Sequence, residues 1–534
     1  MRKHYLAVIG IMTVLIAELF CANNALAQNR KISGVVIDKT EYPVPGASVI
    51  VTNNSKIGTV TDADGNFSFE VPQNASLTVS CIGYKDAVVA TAGKDFLNIV
   101  LEEDSEFLEE TVVVGYGTQR KKLITGSTVN VTSEKLAAVN AIDALGALQS
   151  QAAGVNIVSN SGQPGESYKV TIRGMGTIGS YEPLYVIDGV TGGDINALNP
   201  ADIESIDVLK DAASAAIYGA QAANGVVLIT TKNGKEGTSN ITYDGFVGWQ
   251  TLGRKFDMLN ASEYMTIMDE ARLNSGMSPV DWNSLNAIHD ANGNIYNTDW
   301  IDQAVNEGAL TTSHSLAFTG GSQSSTYSIS LGYTGQQGLI GGPQVSDYKR
   351  YNFRANSEHK MFGDIVTVGE HMSFVWKDTR GMNTGNIWNN NLRSAFSSSP
   401  LHPVYDENGG YANTLDNDWN TGDGNPYGNM MVNRFNRSRN GSLDANFYAQ
   451  VEPIKNLKFK TVFGISYGAS EYRSYTPVYK FVPTGGNTTE KVTQSNGHGM
   501  SMVWTNTLSY DWNWGEHALN ALVGSEMSKY DGIS

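Results

Sequence analysis

The chain has 534 residues, and its 53 Asp and Glu outweigh 37 Lys and Arg to give a formal net charge of −16. That balance argues against nucleic acid as a partner. With 56 glycines, 25 tyrosines and only 17% charged residues, the composition suits tight turns, thin-walled strands and aromatic girdles.

Arg2 and Lys3, the apolar run Tyr5 to Ala17 and the small residues Ala25-Leu26-Ala27 are the three parts of a secretory signal, with cleavage expected after Ala27. The apolar run is short next to the roughly 20 residues of a spanning helix. Cys21 raises a lipoprotein alternative, but Phe20 is bulky where that signal wants a small residue. Cleavage leaves Cys81 alone, a small apolar residue of a strand. No later segment is apolar for long enough to be a spanning helix. A mature protein in a membrane would therefore have to be a closed barrel, which satisfies every backbone group in lipid.

Residues 28–103 hold short alternating runs split by turn residues, among them Ile32 to Ile37, Ala47 to Thr52, Phe67 to Val71 and Leu77 to Ile82. This spacing predicts an all-β sandwich. Thr61-Asp62-Ala63-Asp64-Gly65-Asn66-Phe67 superficially resembles a calcium loop. Its glycine comes too early, and Gln73 stands at the twelfth position from Asp62. A hairpin turn centred on Asp64-Gly65 or Gly65-Asn66 is the better reading. With Gly34-Val35-Val36, Pro45-Gly46-Ala47 and Ile82-Gly83-Tyr84, the stretch resembles a carboxypeptidase-regulatory-like domain. No HExxH pair or cluster of metal-ligand spacing accompanies it.

Residues 104–122 form a linker. Within it Thr111, Val112, Val113, Val114 and Gly115 have high β propensity, with an acidic run before them and Arg120 to Lys122 after. Such a segment reads either as an ordinary strand or as one kept unpaired until a partner supplies a sheet edge.

Residues 123–235 read as a compact α/β domain. A helix is expected over Ile142 to Gln151, strands at 154–158, 170–173, 184–187, 202–209 and 226–231, and a second helix over Ala212 to Tyr218. Gly174-Met175-Gly176-Thr177-Ile178-Gly179 is a literal GxGxxG. It leads into another strand and not into the helix that a dinucleotide site needs, so a tight mobile loop is the expectation.

GYGTQRKK at 115–122, LYVIDGV at 184–190 and the run from Asp202 to Lys235 together resemble the SusC/RagA class of TonB-linked outer-membrane transporters. The resemblance implies that Thr111 to Gly115 belong to or adjoin the TonB box, and that the domain after them is a plug. The signature positions of that plug would be Arg173, Gly174, Asp188, Gly189, Tyr218, Gly219, Asn224 and Gly225. The family often has Ser-Arg-Gly-Ala-Asn-Gly where this chain has Ala220-Gln221-Ala222-Ala223-Asn224-Gly225. The missing arginine puts in doubt any ion pair it makes with a barrel wall.

Residues 236–534 alternate apolar and polar residues in repeated rows. Ile241, Tyr243, Val247 and Trp249 make one row, Tyr327, Ile329, Leu331 and Tyr333 a second. In a third, Tyr351, Phe353 and Ala355 alternate with Asn352, Arg354 and Asn356. Period two with segments near the 9–11 residues of a tilted membrane strand predicts an apolar face toward lipid and a polar face toward a lumen. A soluble β protein shows the same alternation. Long polar segments, Met258 to Glu307 and Thr379 to Asn440, read as extracellular loops. Their Trp282, Trp300, Trp388 and Trp419 either stack on sugar rings or pack the loops.

About nine strands are countable, against about 22 in plugged transporters. A plug of about 105 residues is on the order of 33 Å across, whereas ten strands enclose only about 20 Å and 22 strands about 44 Å. The expectation is an N-terminal part of a longer transporter.

The fold class is therefore mainly β: a small β-sandwich domain, an α/β plug domain and an incomplete transmembrane antiparallel β-barrel. The expected function is TonB-dependent import across the outer membrane, with no catalytic residue, metal or cofactor. The resemblance implies three partners besides outer-membrane lipid: TonB on the periplasmic side, a SusD-like lipoprotein on the extracellular side, and an oligosaccharide or peptide substrate. The competing reading is a secreted or surface β-rich binding protein without transport. An enzyme is the least supported, for want of a metal or nucleophile constellation.

Overall fold

The structure is a computed structural model. It describes residues 29–534 apart from 40–41, 53, 73–74, 82–83, 92, 103–110, 115–116, 121–127, 178, 212–215, 386–389, 414–423, 483–484, 515–516 and 534. The export signal with Cys21, Gly115, Trp388 and Trp419 lie outside the described residues.

Seven strands build the N-terminal unit: β1 (Asn29–Asp38), β2 (Ser48–Val51), β3 (Asn54–Val60), β4 (Asn66–Pro72), β5 (Ser76–Ser80), β6 (Ala87–Ala90) and β7 (Phe96–Leu101). They form two sheets, in the orders β4-β1-β7 and β3-β2-β5-β6. Alternation assigns the faces. Leu97, Ile99 and Leu101 are buried, while Phe96 and Val100 on the same strand are exposed. Ile32, Val36, Val49, Phe67, Leu77 and Val79 complete the core, each fully buried aliphatic contributing about 1.5–3 kcal/mol. Gly34 sits where a Cβ would lie 2.2 Å from the Leu97 carbonyl, so the close approach of β1 to β7 requires glycine.

The turn at Asp62 departs from the hairpin expected of it. Its carboxylate accepts from the backbone N–H of Asp64 and Asn66 at 3.0 and 2.8 Å. The strands on either side belong to different sheets. The reason is that Val36 N–H donates to the Gly65 carbonyl at 2.8 Å, which draws the turn onto β1, and β4 then pairs with β1 instead of β3.

β8 (Thr111–Val114) and β9 (Gly117–Arg120) form a two-stranded sheet of their own. The segment that reads either as an ordinary strand or as one kept unpaired thus has a strand partner on one side. An isolated pair of this size is marginal in water.

The next domain contains β10 (Thr128–Thr132), α1 (Ser133–Ala137), α2 (Ala144–Leu148), β11 (Val155–Ser159), β12 (Tyr168–Ile172), β13 (Leu184–Ile187), β14 (Val190–Thr191), β15 (Ile203–Leu209) and β16 (Val226–Thr231). Five strands pair in the order β10-β15-β16-β13-β14, and β11-β12 is a separate hairpin. The helix expected over Ile142 to Gln151 is cut to five residues. Asp143 caps its start by accepting from Gly146 N–H, and Gln149 leaves it with a ψ of 128°, followed by Ser150 at a φ of 65°. The second expected helix, where described, is a 3-10 stretch over Ala216–Ala222, broken at Gly219, whose φ of 63° is not helical.

Nine long strands then form one antiparallel sheet: β17 (Ser239–Gln250), β18 (Ala309–Gly321), β19 (Ser325–Gln337), β20 (Asp347–Met361), β21 (Val366–Arg380), β22 (Arg437–Ile454), β23 (Leu457–Thr476), β26 (Lys491–Trp514) and β27 (His517–Ile533). A small hairpin, β24 (Tyr479–Val482) and β25 (Gly485–Asn487), interrupts the series. Each strand pairs with the next in chain order, and the sheet is unclosed, with β17 and β27 at its edges. Three strands reach 18, 20 and 24 residues, well beyond the 9–11 expected. They extend past the apolar band into a charged stretch at one end.

The polarity of this sheet is inverted. Leu331, Phe447 and Val523 are 51%, 53% and 75% exposed, while Arg350, Asn356 and Thr334 are 1%, 2% and 0% exposed. In water such an arrangement would leave a large apolar surface uncovered; in a bilayer it is the expected one. Connections 322–324, 362–365, 455–456 and 515–516 are short at one end, and 251–308, 338–346, 381–436 and 477–490 are long at the other.

The long connections are not bare loops. A helix, α3 (Ala261–Asn274), starts at a capping box between Asn260 and Glu263. Tyr264, Ile288 and Leu401 pack together. Trp300 is buried and donates its Nε1–H to the Ser399 carbonyl at 2.9 Å. Trp282 donates to Asp269 at 2.9 Å. Both described tryptophans of these segments are therefore bonded into the loop layer itself.

Candidate functional site

The polar face of β20 is the seat of the α/β domain. Tyr348, Arg350, Asn352, Arg354 and Asn356 alternate as buried residues along that strand. Arg350 donates to the carbonyls of Asn196 at 3.0 Å and Ile142 at 2.6 Å. Asn352 Nδ2 donates to the Ala197 carbonyl at 2.5 Å. Asn356 Nδ2 donates to Thr231 Oγ1 at 3.0 Å and to the Lys232 carbonyl at 3.1 Å. Farther along, the Tyr348 ring lies against Gly165, where a Cβ would come within 2.1 Å of it.

At the centre is Asp188. The β13–β14 hairpin closes through Asp188-Gly189, between the paired residues Ile187 and Val190. Both turn residues have positive φ, 48° and 83°, as a tight two-residue hairpin demands. The turn aims the Asp188 carboxylate at β20, where it forms an ion pair with Arg354, both side chains under 10% exposed. Thr231 donates to the same carboxylate through its backbone N–H at 2.9 Å and its hydroxyl at 2.9 and 3.0 Å. Arg354 also donates to Thr231 Oγ1 at 2.6 Å, and His371 Nδ1 lies 3.7 Å away. Burial alone would raise the Asp188 carboxyl. The charges of Arg354 and His371 and the Thr231 donors reverse that and hold it below the usual carboxylate range. Asp202, buried in the same domain without so strong a partner, is pushed up by its burial.

Two weaker contacts flank the centre. Lys377 of β21 pairs with Asp194 at 2.8 Å, and Met382 N–H donates to Gln163 Oε1 at 2.8 Å.

The signature positions are not gathered in one place. Asp188 and Gly189 meet the wall. Arg173, with a φ of 56°, is exposed, and Gly174 follows it at 90°. Asn224 ties the segment before β13 by donating to the carbonyls of Ser180 and Glu182 at 2.9 and 3.3 Å. A Cβ on Gly225 would lie 2.7 Å from Ile172 Cδ1. Tyr218 packs with Leu209, Val226 and Leu228, next to the kink at Gly219. Sequence reasoning did not single out Arg350, Thr231 or His371, and marked Arg354 only as one polar residue of its row. The available signal was two arginines four apart on the polar face of a strand, which ask for a partner when buried. Among the described residues no group of three or more His, Cys, Asp and Glu could hold a metal ion.

Residues 120–226 match the TonB-dependent receptor plug domain, and residues 32–114 match the CarboxypepD_reg-like domain. A plug seated on an antiparallel wall with an apolar outer face defines the class, a TonB-dependent receptor of the outer-membrane β-barrel type.

Among curated relatives, the chain is 34% identical over 406 residues to the TonB-dependent receptor SusC of Bacteroides thetaiotaomicron, covering 74% of this chain and 38% of that protein. It is 31% identical over 526 residues to the TonB-dependent receptor P26 of Formosa agariphila, covering 96% and 50%. Among solved structures it resembles the RagAB peptide importer in its open-open state, with a TM-score of 0.67, 27% identity, and 79% of this chain and 49% of that chain covered. The chain spans about half the length, or less, of these relatives. It belongs to the SusC/RagA-type TonB-dependent receptors.

Proposed function

We propose that this chain supplies the plug and part of the barrel wall of an importer. That importer would carry a hydrophilic nutrient, an oligosaccharide or a peptide, across the outer membrane. The observation that supports this most is the sheet with exposed Leu331, Phe447 and Val523 and a buried polar face that holds a plug through Asp188 and Arg354. A secreted binding protein would have no use for such an outer face. Peptide import by the related RagAB complex favours a second, SusD-like component that captures substrate at the long-connection end.

Energy would enter through Thr111, Val112, Val113, Val114 and Gly115. TonB would add a strand to this segment, in competition with or beside Gly117–Arg120, and pull on the plug. Arg173, Gly174, Asp188, Gly189, Tyr218, Gly219, Asn224 and Gly225 would then serve the plug: tight turns, a kink, and one ionic seat on the wall.

The test is uptake and surface binding measured in the same cells with the full-length receptor. Val113→Pro removes a backbone N–H and fixes an incompatible φ. It should abolish uptake and leave surface binding nearly intact, while Val113→Ala should be mild. Normal uptake by the proline variant would rule out coupling through this strand.

A further inference from the structure

The outward face of the wall is apolar at one end and charged at the other. At the end with short turns, the register sets Met361, Val366, Val451, Phe459 and Leu508 side by side in one row across five strands. Toward the long connections, the row through Tyr351 and Trp376 is followed by Lys349, Asp378, Arg439 and Glu471. These four alternate in sign; Arg439 lies 3.4 Å from Glu471, while Lys349 pairs with Asp347 and Asp378 with Arg437.

One step further out the pattern changes. Arg437 faces Arg473 directly, and Arg380 lies one step past the Thr379–Ser438 pair, opposite Arg437. Three arginines stand on adjacent strands about 4.8 Å apart. Like charges directly opposite one another destabilise a sheet. Arg437 is committed to Asp378, its Nε donating at 2.7 Å. Arg380 faces Asp347 on β20, whose carboxylate pairs with Lys349 at 3.3 Å, and among the described residues neither Arg380 nor Arg473 has a carboxylate within ion-pair distance. Beyond them come rings. Phe435 and Tyr475 meet edge to face at 5.2 Å, and the Arg434 guanidinium lies 4.6 Å over Phe435. Arg434 and Phe435 border a recess of about 270 Å³ that also takes in Tyr479, Lys480 and Phe481.

Along one strip of wall, therefore, an apolar band gives way to uncommitted guanidinium groups and then to aromatic faces with two further cations. We propose that this strip binds a phosphorylated glycolipid of the outer leaflet. Acyl chains would lie on the band around Trp376, Leu443 and Tyr467. A phosphate would bridge Arg380 and Arg473, with the planar donor geometry that suits arginine to this anion. Head-group sugar rings would stack on Phe435 and Tyr475. The proposal rests on the outer-membrane reading, which places the long connections outside the cell.

The experiment is native mass spectrometry of the full-length receptor purified from outer membranes in mild detergent, with the co-purified phosphorylated glycolipid counted per receptor. Arg380→Gln with Arg473→Gln should lower that count roughly tenfold, and His359→Gln, outward at the opposite end, should leave it unchanged. An equal count in the double variant overturns the proposal, as does equal loss in the His359 variant. Displacement by millimolar inorganic phosphate of all retained lipid would assign the arginines to a soluble anion instead. Receptor–receptor cross-linking through Arg473→Cys would assign the strip to a second copy. Heat-modifiable migration of the same samples tests the membrane reading separately: a receptor absent from the outer membrane sinks both, whereas a correctly assembled receptor without lipid sinks this inference alone.

Discussion

The N-terminal sandwich and the nine-stranded wall are written in the same alternating code and fold with opposite polarity. In β7, Leu97, Ile99 and Leu101 turn inward while Phe96, Asn98 and Val100 turn outward. In β19, Ile329 and Leu331 turn outward while Ser328 and Ser330 are buried. Period two determines that a strand has two unlike faces; it does not say which face meets solvent. What decides is the partner available to the apolar face. The sandwich finds its partner in a second sheet. The wall has a polar plug on one side, so its apolar side is left for lipid.

The contrast can be broken from the plug side with the largest expected effect. Asp188→Asn keeps the turn but leaves Arg354 buried without a charge partner, a cost of about 3–5 kcal/mol. The plug should become sensitive to protease in assembled receptor at low denaturant; unchanged protection would remove Asp188 from the seat. pH probes the same contact. Because Asp188 titrates below its unfolded value of about 3.9, its contribution is fully present above that pH and is lost as pH falls through the lower folded value. Protection should hold at pH 5 and fail only in stronger acid, and failure between pH 5 and 7 would contradict the assignment.

A charge on the outer face comes next. Leu331→Arg should cost about 2–4 kcal/mol if that position lies near the bilayer midplane, measured as loss of heat-modifiable receptor from outer membranes. Normal assembly would mean that this face does not meet lipid. Within the sandwich, Ile99→Val should cost about 0.5–1.5 kcal/mol for one lost methylene in a core, read from the thermal transition of the N-terminal unit. The smallest effect is expected from Val88→Arg, outward on β6, within about 0.5 kcal/mol. The two outward apolar-to-arginine changes are the sharpest pair, because equal costs would erase the distinction between the two sheets.

Local pattern carried much of this fold. The Leu184 to Ile187 strand, the β-rich sandwich and the rows of the wall were legible because each depends on neighbours two residues apart. The shortened helix at Ala144–Leu148 was not, since Gln149 leaves helical geometry with a ψ of 128° and Ser150 follows at a φ of 65°, and apolar periodicity does not register backbone angles. The crossing turn at Asp62 was misread because a hairpin and a sheet-to-sheet crossing use the same residues, and only the contact of Gly65 with Val36 separates them. The helix at Ala261–Asn274 was hidden in a segment read as loop because its apolar face is narrow, with only Ala261 and Tyr264 buried. Of the plug seat, the sequence displayed each half but not the pairing. LYVIDGV marked Asp188, and the β20 alternation marked Arg354 as facing inward. Their meeting spans 166 residues, and no local pattern encodes it.

The central claim, that the wall turns its apolar side to lipid, is tested most directly by a nitroxide scan along β19 in full-length receptor lacking Cys81 and any other cysteine. Single labels at 327 through 333, reconstituted in bilayers, would be read for collision with dissolved oxygen against a water-soluble relaxant. The account predicts oxygen access with period two, high at Tyr327, Ile329, Leu331 and Tyr333 and low at Ser328, Ser330 and Gly332. Access to the water-soluble relaxant at the odd positions, or no periodicity at all, would contradict it.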